Sequence, residues 1–319
     1  MGSSLRFDGR VAIITGAGRG MGRTHALTLA DRGASVVVND VGASVQGDGA
    51  DPGPANDVVA EIRQAGGSAV VNTDDVATPS GAAAMVKAAI ENFGRVDLVV
   101  HNAGIGSTHK GPLVELDIED FMKHISVHLV GGFNVSLAAW PHMLANGYGR
   151  IVMITSGAAL GRKGAVSYGS AKAGLIGLTK SLAQEGQDEN IKVNAIAPAA
   201  DTRMSSQGGV RNFTKLASGE EVPIAPENAS AVVTVLLHED CPVSGEVLGA
   251  GAGHVGRLFI ADTLGYTREG VLVPEDILAN WNEVVDETGY YVPIHCTHHS
   301  DMLRNPHLLA RGGAAAVAG

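Results

Sequence analysis

Six short runs of β-branched and aliphatic residues, none alternating with polar residues, limit the possible folds of this chain more than anything else in it. They are VAIIT (11–15), SVVVN (35–39), AVVN (69–72), VDLVV (96–100), RIVMIT (150–155) and KVNAI (192–196). A strand that is apolar along its whole length is buried on both faces, as in a parallel sheet covered by helices. Helical patterns lie between the runs, at 20–32, 56–65, 80–93, 118–145 and 167–186. Such alternation, with right-handed crossovers, gives an α/β fold built on a doubly wound parallel sheet. EVLGAG (246–251) reads as a late strand that completes it. With 43 glycines and 4% aromatic residues, the composition suits tight turns and helices pressed close to a sheet. The expected organisation is one domain over 1–254 and a C-terminal extension over 255–319. The extension has a helical pattern at 275–287 and ends in RGGAAAVAG, which reads as a frayed tail.

TGAGRGMG (15–22) follows the first run and opens the first helical pattern. Glycines let the backbone approach a pyrophosphate, and a helix N-terminus offers N–H groups and the positive end of its dipole. Strand, turn and helix stand in the order a Rossmann-type dinucleotide site requires. Gly16, Arg19, Gly20, Met21 and Gly22 are therefore candidate cofactor-binding residues. Asp40 closes the second run, 24 residues past Gly16 (40 − 16). A carboxylate there accepts hydrogen bonds from ribose hydroxyls and repels a 2′-phosphate, which favours NAD over NADP. Arg19 argues the other way, because a basic side chain in the turn can hold that phosphate; Asp40 is given more weight.

SYGSAK (167–172) places Lys172 one helical turn after Tyr168, on the same face. A free phenol titrates near 10, so a nearby ammonium is what would make it useful as an acid or base around neutrality. Together with HNAG (101–104) and Ser156, these motifs resemble, in order, the signature of the short-chain dehydrogenase/reductase family over residues 8–250. Ser156 precedes the tyrosine by twelve residues, one fewer than is usual.

The resemblance implies a single Rossmann-type domain and an oxidoreductase that interconverts a secondary alcohol and a ketone. Tyr168 would be the general acid or base. Lys172 would stabilise the phenolate and hold the nicotinamide ribose. Ser156 would donate to the carbonyl oxygen. Asn102, Ala103 and Gly104 would line the cofactor floor, Asp75 and Val76 the adenine, and Pro198 and Thr202 the carboxamide. Ala199 replaces the usual glycine after that proline. His128 stands where many members carry a relay asparagine. It reads either as a core histidine or as an imidazole that continues a proton relay, and it joins the candidate catalytic residues on the second reading.

VHLVGGF (127–133), AAWPHM (138–143), IAPAADTRM (196–204) and the loop GASVQGDGADPGPA (42–55) look like one branch of the family. That branch comprises the (R)-3-hydroxyacyl-CoA dehydrogenases of peroxisomal multifunctional enzymes. A 3-hydroxyacyl-CoA is thus the favoured substrate, and a hydroxysteroid or other bulky hydrophobic alcohol is the alternative. Arg162 and Lys163 read as a solvated turn or as contacts to coenzyme A phosphates. IGSTHKGPL (105–113) departs from the basic loop of the branch. An NADP-linked ketoreductase and a non-catalytic dinucleotide sensor are the remaining rivals.

A net charge of −10 argues against a nucleic-acid surface. The resemblance implies a homodimer or homotetramer; the other partner expected is a small-molecule substrate, with no membrane. Two cysteines and no apolar leader point to a reducing, cytoplasmic setting; against the branch it resembles, with no hydratase or sterol-carrier module in the sequence, a free-standing enzyme is expected. HCTHHS (295–300) has no second ligand cluster, so no metal is expected. Trp140–Pro141 reads as packing and a helix stop.

Overall fold

The computed structural model describes residues 5–106, 109, 111–202 and 213–305. It divides into two units, residues 1–257 and 258–319.

The first unit is built on an eight-stranded sheet. Its strands are β1 (Val11–Thr15), β2 (Ser35–Asn39), β3 (Ser68–Asn72), β4 (Leu98–His101), β5 (Gly149–Ile154), β6 (Ile191–Pro198), β9 (Val247–Gly251) and β10 (His254–Leu258), in the order β10-β9-β6-β5-β4-β1-β2-β3. From β3 to β9 every pairing is parallel. A small hairpin, β7 (Phe213–Lys215) with β8 (Glu221–Pro223), stands apart from the sheet. Every residue of β1, β4 and β5 is buried, which is why those runs show no alternation.

The helices are α1 (Gly20–Asp31), α2 (Gly53–Gln64), α3 (Pro79–Phe93), α4 (Ile118–His124), α5 (Gly131–Asn146), α6 (Val166–Glu185) and α7 (Glu227–Leu237). α3 shows how the chain sets their limits. Thr78 caps its start by accepting from Gly81 N–H, Pro79 holds the first position, and Gly94 ends it in the left-handed region at φ +79°. α1, α2 and α7 bury their apolar faces in one core with Phe7, Ile14, Val36, Val38, Leu98 and Val100.

Four local features differ from expectation. The 118–145 pattern is α4 and α5 joined by a π-helical stretch, Ile125–Val130. α5 does not stop at Pro141 but runs on to Asn146. The carbonyl that proline leaves without its usual helical donor belongs to Leu137, a residue on the exposed side of the helix. α7 has no counterpart among the sequence patterns: ENASAVVTVLL is rich in β-branched residues, and its helix is fixed by packing on α1, where His25 Nδ1 lies 2.7 Å from Ser230 Oγ. β10 is likewise unexpected. It follows a two-residue turn, Ala252–Gly253, with φ values of +52° and +73°.

In the second unit the 275–287 pattern resolves into two short helices, α8 (Pro274–Ala279) and α9 (Trp281–Val284). Cys296–Arg304 forms α10, where His295 caps the start by accepting from His298 N–H. Among the described residues no three His, Cys, Asp or Glu side chains converge as metal ligands. The tail at 311–319 lies outside the described residues.

Candidate active site

The strand order reverses between β1 and β4, the point where an open α/β sheet forms its ligand crevice at the carboxyl ends of the strands. Six of those ends deliver the predicted residues to it. β1 runs into the glycine turn. β2 ends beside Asp40, and β3 leads to Asp75 and Val76. β4 leads to Asn102, Ala103 and Gly104, β5 to Ser156, and β6 to Pro198 and Thr202.

Close packing fixes the glycine turn. A Cβ on Gly16 would stand 2.8 Å from Ala103 Cα, and one on Gly22 only 2.1 Å from the Gly16 carbonyl oxygen. Asn102 Nδ2 donates to the carbonyls of Thr15 (3.1 Å) and Gly16 (2.9 Å). The turn and the loop after β4 therefore hold each other. Asp40 accepts from Gly18 N–H (2.8 Å) and Gly42 N–H (2.7 Å). Arg19 faces Asp51 at 3.7 Å. Met21 turns its side chain to the core, so only its backbone can serve a ligand. Asp75 fixes its own turn by accepting from Ala77 N–H at 2.9 Å. Val76 is buried, and its carbonyl accepts from Asn134 at 3.2 Å. Thr202 lies against the start of α1: a Cβ on Gly20 would be 3.9 Å from its Cβ.

The second cluster stands on α6. Tyr168 is half-buried and shares a hydrogen bond with Ser156, so the spacing of twelve still brings the two together. Ser156 Oγ also accepts from Ala158 N–H at 3.2 Å, which leaves its own hydrogen to donate. Lys172 is buried and donates to the Ile154 carbonyl at 2.6 Å; its Nζ lies 5.7 Å from the Tyr168 ring centre. Arg162 and Lys163 are exposed on the turn before α6. Ser107, Thr108 and Lys110 of the loop after β4 lie outside the described residues.

Three buried histidines back this cluster, two of which the sequence does not single out. The Thr15 hydroxyl oxygen accepts from the N–H groups of Asn102 and Ala103, so its hydrogen goes to His101 Nδ1 (3.2 Å). His101 Nε2 is then the protonated nitrogen, and it donates to the His128 carbonyl at 2.8 Å. Burial, reinforced by the Lys172 charge, pushes His101 down to about 3, so it stays neutral. His128 lies in the π-helical stretch with its ring edge-on to Tyr168, centroids 5.4 Å apart. Its Nε2 is 3.1 Å from the Ile105 carbonyl, and among the described residues its Nδ1 has no partner. Burial, then the Lys172 charge, holds it well below the usual histidine value. Gly104 is required beside it, because a Cβ there would stand 2.4 Å from the imidazole. His124 stacks on His128 and reaches the Asp120 and Gly106 carbonyls at 2.9 and 3.1 Å. A histidine in a helical pattern carries no signal of such packing; HNAG places His101 beside the site, but nothing in it assigns the ring a partner.

Residues 10–209 match the model of the short chain dehydrogenase family. The chain belongs to that family. A Mycobacterium tuberculosis protein named as a short-chain type dehydrogenase/reductase is 43% identical over 88% of this chain and 95% of its own length. Mouse peroxisomal multifunctional enzyme type 2 is 41% identical over 90% of this chain, which spans only 38% of that enzyme. The solved 7α-hydroxysteroid dehydrogenase in complex with NADH and 7-oxo glycochenodeoxycholic acid superposes with a TM-score of 0.68. It is 34% identical and covers 78% of this chain and 96% of its own.

This short-chain dehydrogenase is accordingly an oxidoreductase that acts on CH–OH groups with a nicotinamide dinucleotide and a small-molecule substrate. The crevice suits that cofactor. The first turn of α1 has no side-chain cap and no acidic residue, so its N–H groups can receive a pyrophosphate. Around Gly20, at φ +54°, the nearest atom from elsewhere among the described residues is 3.9 Å from where a Cβ would stand.

The electrostatics of the site differ from the simple expectation. Burial raises the Tyr168 phenol above its usual value; the Ser156 hydrogen bond and the Arg162 charge partly oppose this. Lys172 has no such effect here, because burial brings its own ammonium down to about 7. Burial leaves the Ile154 carbonyl in place of the water that would hold its charge. Among the described residues no helix is long and apolar enough to cross a membrane.

Proposed function

We propose that the protein is an NAD-dependent dehydrogenase that interconverts a secondary alcohol and a ketone, with a 3-hydroxyacyl-CoA as the substrate class. The observation that carries this reading is the meeting of Ser156, Tyr168 and Lys172 beside a glycine turn whose Gly18 N–H is held by Asp40. A bound dinucleotide supplies the hydride acceptor for oxidation and the donor for reduction. The chain supplies the rest. Ser156 donates to the substrate oxygen and steadies the charge that develops on it. During oxidation Tyr168 Oη takes the alcohol proton, and during reduction it returns one. Lys172 is placed to hold a positive charge against the phenolate and to bind ribose hydroxyls. Neutral His101 and His128 keep further charge away from this region. Among the described residues, His128 Nδ1 is the ring nitrogen near Tyr168 and Lys172 that is open to pass a proton onward.

Asp40 supports NAD over NADP. The thioester reading rests on the likeness to the peroxisomal multifunctional enzymes and on the exposed Arg162–Lys163 pair, which suits phosphate groups. The likeness to 7α-hydroxysteroid dehydrogenase supports a second reading, a bulky hydrophobic alcohol. Initial rates with NAD and NADP on a panel of 3-hydroxyacyl-CoA thioesters and hydroxysteroids decide between them. The thioester reading predicts turnover of thioesters with NAD. It also predicts that Arg162→Ala with Lys163→Ala raises the thioester KM about tenfold or more while leaving kcat within a few-fold. Turnover of steroids alone contradicts it.

The proposed assembly is a homodimer or homotetramer through α5 and α6. Val130, Phe133, Leu137 and Leu144 are exposed on one stripe, and Val166 is exposed at the start of α6. Sedimentation should give two or four chain masses for the native protein and one for Phe133→Asp/Leu137→Asp. A native monomer contradicts the assembly.

A further inference from the structure

Beside Asp40 an open pocket of about 360 Å³ lies between the glycine turn and the start of α2, lined by Gly18, Arg19, Arg23, Asp51, Pro54 and Asp57, among others. Gly18 of its lining donates to Asp40, the carboxylate expected to meet the adenosine ribose, at 2.8 Å, and its volume exceeds what a phosphate group needs. Two arginines face it, so by composition it could accept a 2′-phosphate. Both are engaged. Arg23 pairs with Glu61 at 2.5 Å, and Arg19 faces Asp51 at 3.7 Å.

Asp51 is held in place from two sides. Its Oδ1 accepts from Gly53 N–H at 2.9 Å, where α2 begins. Its backbone N–H donates to the Val41 carbonyl at 3.1 Å. The loop there is closed so tightly that a Cβ on Gly42 would stand 1.7 Å from the Asp51 carbonyl oxygen. The remaining oxygen, Oδ2, is the one that faces the Arg19 guanidinium. The GASVQGDGADPGPA loop thus returns a second carboxylate to the neighbourhood of Asp40, on the one cation of the glycine turn.

We infer that Asp51 is a specificity-determining residue for the cofactor: it occupies Arg19 and adds negative charge, so the pocket beside the ribose disfavours a 2′-phosphate. This rests on the proposed NAD preference, and it divides that preference between two carboxylates. Asp40 meets the ribose directly, whereas Asp51 disarms the cation that would otherwise compensate for it. The pair is partly exposed, so its influence is modest and falls with ionic strength.

Asp51→Asn is the informative change, because the amide oxygen keeps the hydrogen bond to Gly53 N–H and only the charge is lost. Dissociation constants for NADH and NADPH are measured by fluorescence titration at low ionic strength, without substrate. The variants are wild type, Asp51→Asn, and Asp51→Asn with Arg19→Ala. The ratio of the NADPH constant to the NADH constant should fall about five- to tenfold in Asp51→Asn and return toward the wild-type ratio when Arg19 is also removed. An unchanged ratio in Asp51→Asn overturns the role of Asp51 while the NAD preference stands. A fall that survives Arg19→Ala overturns the coupling to Arg19. Wild-type protein that binds NADPH as tightly as NADH overturns the NAD preference itself.

Discussion

Tyr168→Phe should lower kcat by about 10²–10⁴-fold in both reaction directions and leave NADH affinity within about twofold of wild type. The ring that packs edge-on against His128 and His124 is retained, so the pocket keeps its shape and only the proton-carrying oxygen is lost. Because burial raises the phenol, the wild-type enzyme starts with Tyr168 protonated. Oxidation needs the phenolate and should accelerate as pH rises. Reduction needs the phenol and should slow. The Tyr168→Phe variant has no group to titrate there, so it should lose that mirror-image dependence. Steady-state rates at several pH values check both statements, and a variant that keeps wild-type turnover removes Tyr168 from the chemistry.

Lys172→Met should show the opposite side of the same arrangement, with lost activity and a gain in stability confined to part of the pH range. Lysine titrates near 10.5 when unfolded, and burial brings Lys172 down to about 7. Between those values the unfolded chain binds a proton that the native state does not. Wild-type stability therefore rises with pH across that window, by at most ~1.4 kcal/mol per unit. Below pH 7 the full desolvation cost is present, and above about 10.5 it is gone. Methionine fills a similar volume without that cost, although it forfeits the bond to the Ile154 carbonyl, worth about 1 kcal/mol at every pH. The variant should therefore melt above wild type near pH 7 and lose this advantage as pH approaches 10, while kcat falls by about 10²-fold or more. A melting difference that does not change with pH contradicts the assignment of a destabilised ammonium. A lysine kept at such a cost marks a position where stability is given up for chemistry.

Much of this is legible in the sequence because the physics is local. Strands buried on both faces leave unbroken apolar runs, and β1 and β2 fall on the residues those runs name. The glycine turn announces itself because backbone must approach backbone: Gly16 and Gly22 leave no room for a side chain. Tyr168 and Lys172 can be paired from helical spacing alone. What escapes depends on distant partners. α7 has no pattern of its own in the sequence, because its β-branched run becomes a helix through packing on α1. The π-helical stretch at Ile125–Val130 widens one turn of a helix without altering its composition, yet it is where His128 meets Tyr168 and Gly104. The Lys172 charge state escapes for the same reason. Sequence places the ammonium near the phenol, whereas burial, which decides whether the ammonium survives, belongs to the folded protein.

The proposed chemistry requires this phenol to become acidic only when the dinucleotide completes the site around it and Lys172. Ultraviolet titration of the tyrosinate, taken as the difference between wild type and Tyr168→Phe with and without NAD, measures that directly. The expected result is a Tyr168 phenol above its ordinary value in the free protein and well below it once NAD is bound. A phenol that stays above that value with NAD bound would contradict the mechanism.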